Sequence, residues 1–403
     1  MCARFFPTLL ASEGTTSASS SECRRRSKLK RRAEIIGWGM SVPQRVLTND
    51  DIAQLVDTSD EWIRTRTGIE RRHVAKEETT ARMAIAAARQ ALQVADADPR
   101  EIDLIIVGTA TPDHSMPSTA CQVQSALGAT RAGAFDLNAG CSGFVYALIM
   151  GHQAIASGEH NLVLVIGADT LTRVVDWEDR TTCILFGDGA GAVLLRASEG
   201  PAGVLSTLLG ADGSGGDLLM IPAGGSALPA SAETVAQRLH YLRMNGREVF
   251  RFSTRVMPRA VEQVVQRAGL TLEDISLIIP HQANLRIIAT AAKRLHLPME
   301  RFYVNLQEYG NTSAASVPIA LCEAVEAGRI HPGENLVLVG FGAGLTWAAA
   351  VVRWGVSPEE AISPRYRIWW RWLLYHWAAL RERVQRFLRR LTVWLIRRAE
   401  RRR

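Results

Sequence analysis

No run of about 20 apolar residues occurs in this 403-residue chain, which excludes a conventional membrane-spanning helix. The apolar stretch 5–10 is short and contains Pro7, a poor signal-peptide core. Cysteine is scarce and scattered. Cys2, Cys23, Cys121, Cys141, Cys183 and Cys322 form no CxxC pair, and no His stands close enough to complete a zinc pattern. No metal site is expected, and the spacing suggests a reducing compartment. Walker A, HExxH and GxSxG patterns are missing. Gly187-Asp188-Gly189-Ala190-Gly191 imitates a dinucleotide fingerprint, but it leads into a strand-like segment rather than a helix. The full GxGxxG spacing is absent too, so NAD binding is rejected.

What is present is globular: 47% hydrophobic and 22% charged residues. The net charge of +7 conceals a division. Residues 1–32 carry +6, residues 356–403 carry +9, and the body between them carries −8. A basic total built this way gives no sign of nucleic-acid binding. Residues 1–32 read as a disordered basic extension or an upstream start, with a transit peptide as the other reading.

From residue 33 apolar runs alternate with helical patterns. Residues 104–107, 162–166, 193–195, 277–279 and 336–339 read as buried strands, and 81–94, 143–156, 257–268 and 285–295 as helices. The alternation predicts α/β architecture with largely parallel sheets. The strand sequence at 102–106 recurs at 275–279, and that at 161–165 recurs at 335–339. These offsets of 173 and 174 point to a duplicated α/β half, hence units of 33–200 and 201–355 with a cleft between them.

Three residues suggest chemistry. Cys141, in Ala139-Gly140-Cys141-Ser142-Gly143, sits between an expected strand and an expected helix. A helix N-terminus favours the nucleophilic thiolate. His281, in Pro280-His281-Gln282-Ala283-Asn284, follows a strand end, where α/β proteins place functional groups. Asn311 opens a stretch of small residues, Asn311-Thr312-Ser313-Ala314-Ala315-Ser316, which also reads as a turn and helix cap. Gly340-Phe341-Gly342-Ala343-Gly344 follows another strand, and its backbone N–H groups could face an oxyanion. Papain-like proteases share the chain order Cys, His, Asn. Their pattern around the nucleophile is missing here, and a duplicated α/β body differs from their fold.

Together these segments resemble the 3-oxoacyl-[acyl-carrier-protein] synthase III family of the thiolase superfamily, over residues 33–354. Further motifs carry the resemblance: Thr58-Ser59-Asp60-Glu61-Trp62-Ile63, Thr65-Arg66-Thr67-Gly68-Ile69, Pro117-Ser118-Thr119-Ala120-Cys121, and Met244-Asn245-Gly246-Arg247-Glu248-Val249-Phe250. The resemblance implies a thiolase-like fold of two similar halves in five αβαβα layers, and a homodimer. It implies no cofactor, acyl-CoA and malonyl-acyl carrier protein being substrates. Cys141 would take the acyl group from acyl-CoA. His281 and Asn311 would stabilise the enolate formed as malonyl-acyl carrier protein loses CO2. The N–H groups of Cys141 and Ala343 would form the oxyanion hole. Trp62, Arg66 and Arg180 match CoA-site positions. Gln282, Ala283, Asn284, Leu285 and Arg286, with Lys293 and Arg294, match the carrier-protein segment. The resemblance also places the protein in the cytoplasm.

Two departures stand out. Met116 stands where relatives often have Phe, on a loop that reaches the partner subunit's acyl pocket; a pliable Met suggests tolerance of primers bulkier than acetyl. Residues 356–403 extend past the usual family end. There Trp369, Leu373, Trp377, Leu380, Val384, Phe387, Leu391 and Trp394 recur at three- or four-residue steps, with arginines largely elsewhere on the wheel. A basic amphipathic helix is expected, suited to an anionic membrane surface through residues 368–398, with packing on the body or a protein partner as rivals. Within the fold, a condensing enzyme of specialised metabolism is the sibling reading. A non-catalytic membrane-attached scaffold is the rival of another class.

Overall fold

The computed structural model describes residues 31–356, together with Leu380, Arg381, Val384, Leu388, Leu391 and Thr392. Most of the basic N-terminal extension and most of the tail lie outside the described residues, including Trp369, Leu373, Trp377, Phe387 and Trp394.

Among the described residues, nine strands form the two main sheets, beside two small two-stranded ones. β1 (Arg32–Ser41), β2 (Leu104–Gly108), β3 (Gly133–Leu137), β4 (Leu162–Thr170) and β5 (Asp188–Ser198) lie in the order β1-β5-β4-β2-β3. β6 (Gly203–Ala211), β7 (Ile275–Pro280), β8 (Asn335–Gly342) and β9 (Thr346–Arg353) lie in the order β6-β9-β8-β7. The second order repeats the first four strands. Even the registers repeat: Leu104 faces Val163, and 173 residues later Leu277 faces Leu336. An isolated parallel bridge between Ile278 and Phe302 takes the place of β3 in the second sheet.

Strand direction departs from the expectation of largely parallel sheets. β2 runs parallel to β3 and β4, and β7 parallel to β8. The pairs β1·β5, β4·β5, β8·β9 and β6·β9 are antiparallel. The short connection from β8 to β9 requires their antiparallel pairing, since only antiparallel neighbours can be joined without a crossover.

Helices α2 (Thr80–Val94) and α3 (Thr119–Leu127) cover the outer face of the first sheet. α4 (Gly143–Ala156) and α7 (Ser316–Glu326) fill the space between the sheets. α5 (Gly246–Arg267) and α6 (Leu285–Arg294) cover the second sheet. The result is the expected αβαβα stack. With helices on both faces, β4 is buried along its whole length, which accounts for its unbroken apolar run. Helix α1 (Asp60–Thr67) lies near the site, capped by Ser59 accepting from Trp62 N–H and closed by Gly68 in the left-handed region.

Candidate active site

Cys141 occupies a tight 3-10 turn, Gly140–Ser142, between β3 and α4. Gly140 has φ +53°, a conformation that glycine adopts without strain. Gly342, at the end of β8, presses on the nucleophile: a Cβ added there would lie 2.8 Å from Cys141 N and Cβ. Cys141 is buried, and burial pushes its thiol up to about 12. The Ser313 hydroxyl, 3.5 Å from Sγ, works against that shift, while the charge of Asp169 adds to it. Burial thus opposes the thiolate that the α4 N-terminus favours.

His281 follows β7, and its N–H donates to Val339 O at 2.8 Å. The side chain is 1% exposed, and burial pulls the imidazole down to about 3, so the ring is neutral. Nδ1 lies 2.6 Å from Ser316 Oγ. That hydroxyl oxygen also accepts from Gln282 N–H at 3.4 Å, and with its own proton given to Nδ1 the ring would carry its hydrogen on Nε2. Asn311 Oδ1 accepts from Ser313 N–H at 2.9 Å, so the amide offers its Nδ2 donors to the cavity. Backbone bonds from Asn311 N to Leu185 O (2.8 Å) and from Gly187 N to Asn311 O (3.0 Å) fix the loop.

One cavity of about 700 Å³ joins these groups to the surface. Cys141, His281, Asn311 and Gly342 line it, as do Trp62 and Arg66. Arg180 lies over the Trp62 ring, 5.0 Å from its centroid, and donates to Asp57 O. Ala343 stands beside the nucleophile turn, its N 3.0 Å from where a Gly140 Cβ would be. Arg286 lines the cavity and lies over Phe250 at 5.4 Å. Ala283 and Asn284 also line it, and Asn284 donates to Arg66 O while capping α6. Leu285, Lys293 and Arg294 are exposed on α6.

Gln282 turns inward at the start of that segment. It is 1% exposed, with Nε2 donating to Pro280 O and Tyr303 O, and Oε1 accepting from Asn305 N–H. It braces the His281 loop. Met116 is 87% exposed and does not line this cavity. Sequence reasoning passed over Ser313, Ser316, Asp169 and Arg247, all of which stand in or behind the site. Asp169 carried a signal: an acid near the end of an otherwise apolar buried strand.

Among the described residues no cluster of three or more His, Cys, Asp or Glu could hold a metal ion. No helix among them is long and apolar enough to cross a membrane.

Two family models match: 3-oxoacyl-[acyl-carrier-protein] synthase III over residues 135–213, and the C-terminal part of that enzyme over residues 265–354. A beta-ketoacyl-[acyl-carrier-protein] synthase III of Symbiobacterium thermophilum is 56% identical over 322 residues, 80% of this chain and 98% of that protein. The protein of the same name from Roseiflexus sp. (strain RS-1) is 54% identical over 323 residues, covering 80% and 98%. The crystal structure of 3-oxoacyl-[acyl-carrier-protein] synthase III from Aquifex aeolicus VF5 superposes with a TM-score of 0.75 at 48% identity, covering 80% of this chain and all of that one. The chain belongs to the 3-oxoacyl-[acyl-carrier-protein] synthase III family.

Proposed function

We propose that the protein catalyses the decarboxylating condensation of an acyl-CoA with malonyl-acyl carrier protein, giving 3-oxoacyl-acyl carrier protein, CO2 and CoA, the first condensation of fatty-acid synthesis. The observation that carries this reading is the meeting of Cys141, a neutral His281 and Asn311 on one cavity. Cys141 attacks the thioester of acyl-CoA, and its C–S bond to CoA breaks. The acyl group is thereby stored and one difficult reaction is divided in two. Malonyl-acyl carrier protein then enters. Its thioester oxygen takes hydrogen bonds from His281 Nε2 and Asn311 Nδ2 as the C–C bond to CO2 breaks. Two neutral donors suit a charge that appears only in that step. The carbanion attacks the acyl carbonyl, whose oxygen turns to the N–H groups of Cys141 and Ala343, and the Cys141 thiolate leaves.

Trp62 and Arg180 hold the adenine of CoA, a flat base entering where the guanidinium now covers the indole, and Arg66 lines the same passage. Arg286, Lys293 and Arg294, with Leu285 among them, meet the acidic carrier protein, while Ala283 and Asn284 form the rim. The chain acts as a homodimer. β3 is the edge of its sheet among the described residues, and Phe135 is 42% exposed on it, an open edge suited to pairing with a second copy. Met116 reaches the partner's acyl pocket, and its pliability admits primers larger than acetyl.

The enzyme is cytoplasmic and attaches to an anionic membrane face through residues 368–398. Leu380, Val384, Leu388 and Leu391 are helical, share one face at three- and four-residue steps, and are 39–52% exposed. The matched family segments end at residue 354, so the tail is additional to them. Liposome co-sedimentation of the full chain and of a truncation after Gly355 tests the attachment. Pelleting of the full chain alone supports it; equal, negligible pelleting removes it.

The activity is tested by following 3-oxoacyl product and CO2 from malonyl-acyl carrier protein with acetyl-, isobutyryl- or octanoyl-CoA, with Cys141→Ser as control. Product that depends on Cys141 supports the reading. No product with any primer contradicts it, and product only with malonyl-CoA as acceptor points to the specialised-metabolism sibling. Strict preference for acetyl-CoA removes the reading of Met116.

A further inference from the structure

His281 and Asn311 must aim at one thioester oxygen, yet they come from separate segments of the chain. His281 follows β7, and Asn311 follows the short helical turn Leu306–Tyr309. Donors that act as a pair tolerate little displacement: a shift of about 1 Å can cost about 10² in rate. Something must fix the two segments against each other.

One carboxylate touches both. Glu323 lies on α7, about two helical turns after Ser316 and on the same face. Ser316 already meets His281 Nδ1. Glu323 Oε2 accepts from Asn305 Nδ2 at 2.6 Å, and Oε1 accepts from Tyr309 Oη at 2.5 Å. These two donors stand at the two ends of the turn, Asn305 as its N-cap residue and Tyr309 as its last residue. An N-cap asparagine usually turns its side chain to the first N–H groups of its helix. Asn305 makes no such bond, and its amide goes to Glu323 instead.

Each contact leads on to one of the two donors. Asn305 N–H donates to Gln282 Oε1 at 3.1 Å. Gln282 Nε2 in turn donates to Pro280 O at 2.8 Å and Tyr303 O at 3.0 Å, so this path closes around His281. On the other side only Gly310 separates Tyr309 from Asn311. Gly310 N–H donates to Leu306 O at 2.9 Å, and the Tyr309 ring stacks on His73 at 5.3 Å. Hydrogen bonds to a carboxylate are roughly twice as strong as neutral ones. Two of them hold this turn at both ends. The nucleophile turn is pinned elsewhere: Thr346 Oγ1 lies 2.8 Å from Ala139 O and 2.6 Å from Ser142 Oγ.

We propose that Glu323 is a positioning residue for the decarboxylation, a brace that sets His281 and Asn311 against each other. It does not line the cavity. It acts through Asn305 and Gln282 on one side and through Tyr309 on the other. Acylation of Cys141, which uses a turn held by other contacts, does not depend on it.

The brace rests on the division of labour between Cys141 and the His281–Asn311 pair, and its test separates the two. Glu323→Ala removes both contacts. Glu323→Gln keeps the shape but sets an amide donor against one of the two donors. Tyr309→Phe removes one hydroxyl. Single-turnover acylation of Cys141 by acetyl-CoA is followed by mass spectrometry of the full-length protein. CO2 release from saturating malonyl-acyl carrier protein is measured separately on enzyme already acylated. Glu323→Ala is expected to release CO2 about 10- to 10²-fold more slowly, with acylation within about twofold of wild type. Glu323→Gln and Tyr309→Phe should each lose about three- to tenfold in CO2 release alone. In an Asn311→Ala background, Tyr309→Phe should add about twofold or less, because the donor it positions is already gone. Wild-type CO2 release in both Glu323→Ala and Tyr309→Phe would overturn the brace. Equal losses in the two half-reactions would also overturn it, since they mark a general loss of structure. If Glu323→Ala does not fold, Tyr309→Phe decides alone, and wild-type CO2 release in that variant overturns the brace. A wild-type enzyme that does not acylate Cys141 would overturn the underlying reading instead.

Discussion

His281 Nδ1 and Ser316 Oγ lie 2.6 Å apart in a fully buried setting, with the Phe341 ring edge-on to the imidazole at 5.1 Å. This pairing occupies Nδ1 and leaves Nε2 for substrate, as its donor when Ser316 donates to Nδ1. Ser316→Ala frees both tautomers and the ring plane. Loss of one neutral hydrogen bond is worth about 1 kcal/mol, so the condensation kcat should fall roughly five- to tenfold. Acylation of Cys141 should be unchanged. Equal steady-state rates for variant and wild type would remove the role given to Ser316.

Burial of a neutral His281 has a stability consequence. Its folded pKa of about 3 lies below the ordinary 6.5, so the unfolded chain binds the proton more readily. The contribution is fully present above pH 6.5 and is lost as pH falls toward 3. The slope is about 1.4 kcal/mol per pH unit for one group. Urea unfolding of wild type and His281→Asn between pH 7 and 4 measures it. The difference between the two curves should shrink or reverse toward acid pH; parallel curves would contradict the buried neutral imidazole.

Gly342 leaves no room for a side chain against the nucleophile turn. Gly342→Ala should displace Cys141 and destabilise the fold by about 1–3 kcal/mol, the range for overpacking. Acylation should fall more steeply than substrate binding. Thermal unfolding and single-turnover acylation together check this outcome.

Trp62 and Arg286 stand at the cavity's outer part but are expected to serve different substrates. Trp62→Ala should raise KM for acyl-CoA by about tenfold, as loss of one base-stacking partner is worth about 1–3 kcal/mol. It should leave KM for malonyl-acyl carrier protein unchanged. Arg286→Glu should do the reverse, with a salt dependence that fades in the variant. Steady-state kinetics with each substrate varied in turn resolves the two effects.

The layered fold was readable where burial acts on both faces of a strand. The unbroken apolar run in β4 and the repeat at residues 102–106 and 275–279 carry that signal. Strand direction was not readable, because β5 and β9 have the same composition whichever way they pair. Cys141, His281 and Asn311 were visible from their positions at turns after strands. The inward turn of Gln282 was not readable, because it stands beside exposed Leu285 and Arg286 while its amide is spent inside the loop. Ser313 and Ser316 were hidden for a different reason. Both lie within a run of small residues that reads as a helix cap, and only folding brings them to Cys141 and His281.

The central claim is a division of labour, with Cys141 carrying the acyl group and the His281–Asn311 pair serving only the decarboxylation. Asn311→Ala tests it directly when Cys141 acylation and CO2 release are followed in one single-turnover experiment. The account predicts acyl-Cys141 formed at close to the wild-type rate. CO2 release should be slower by about 10²–10³, the usual cost of one oxyanion donor. An Asn311→Ala enzyme that releases CO2 as fast as wild type, or that no longer acylates Cys141, would contradict it.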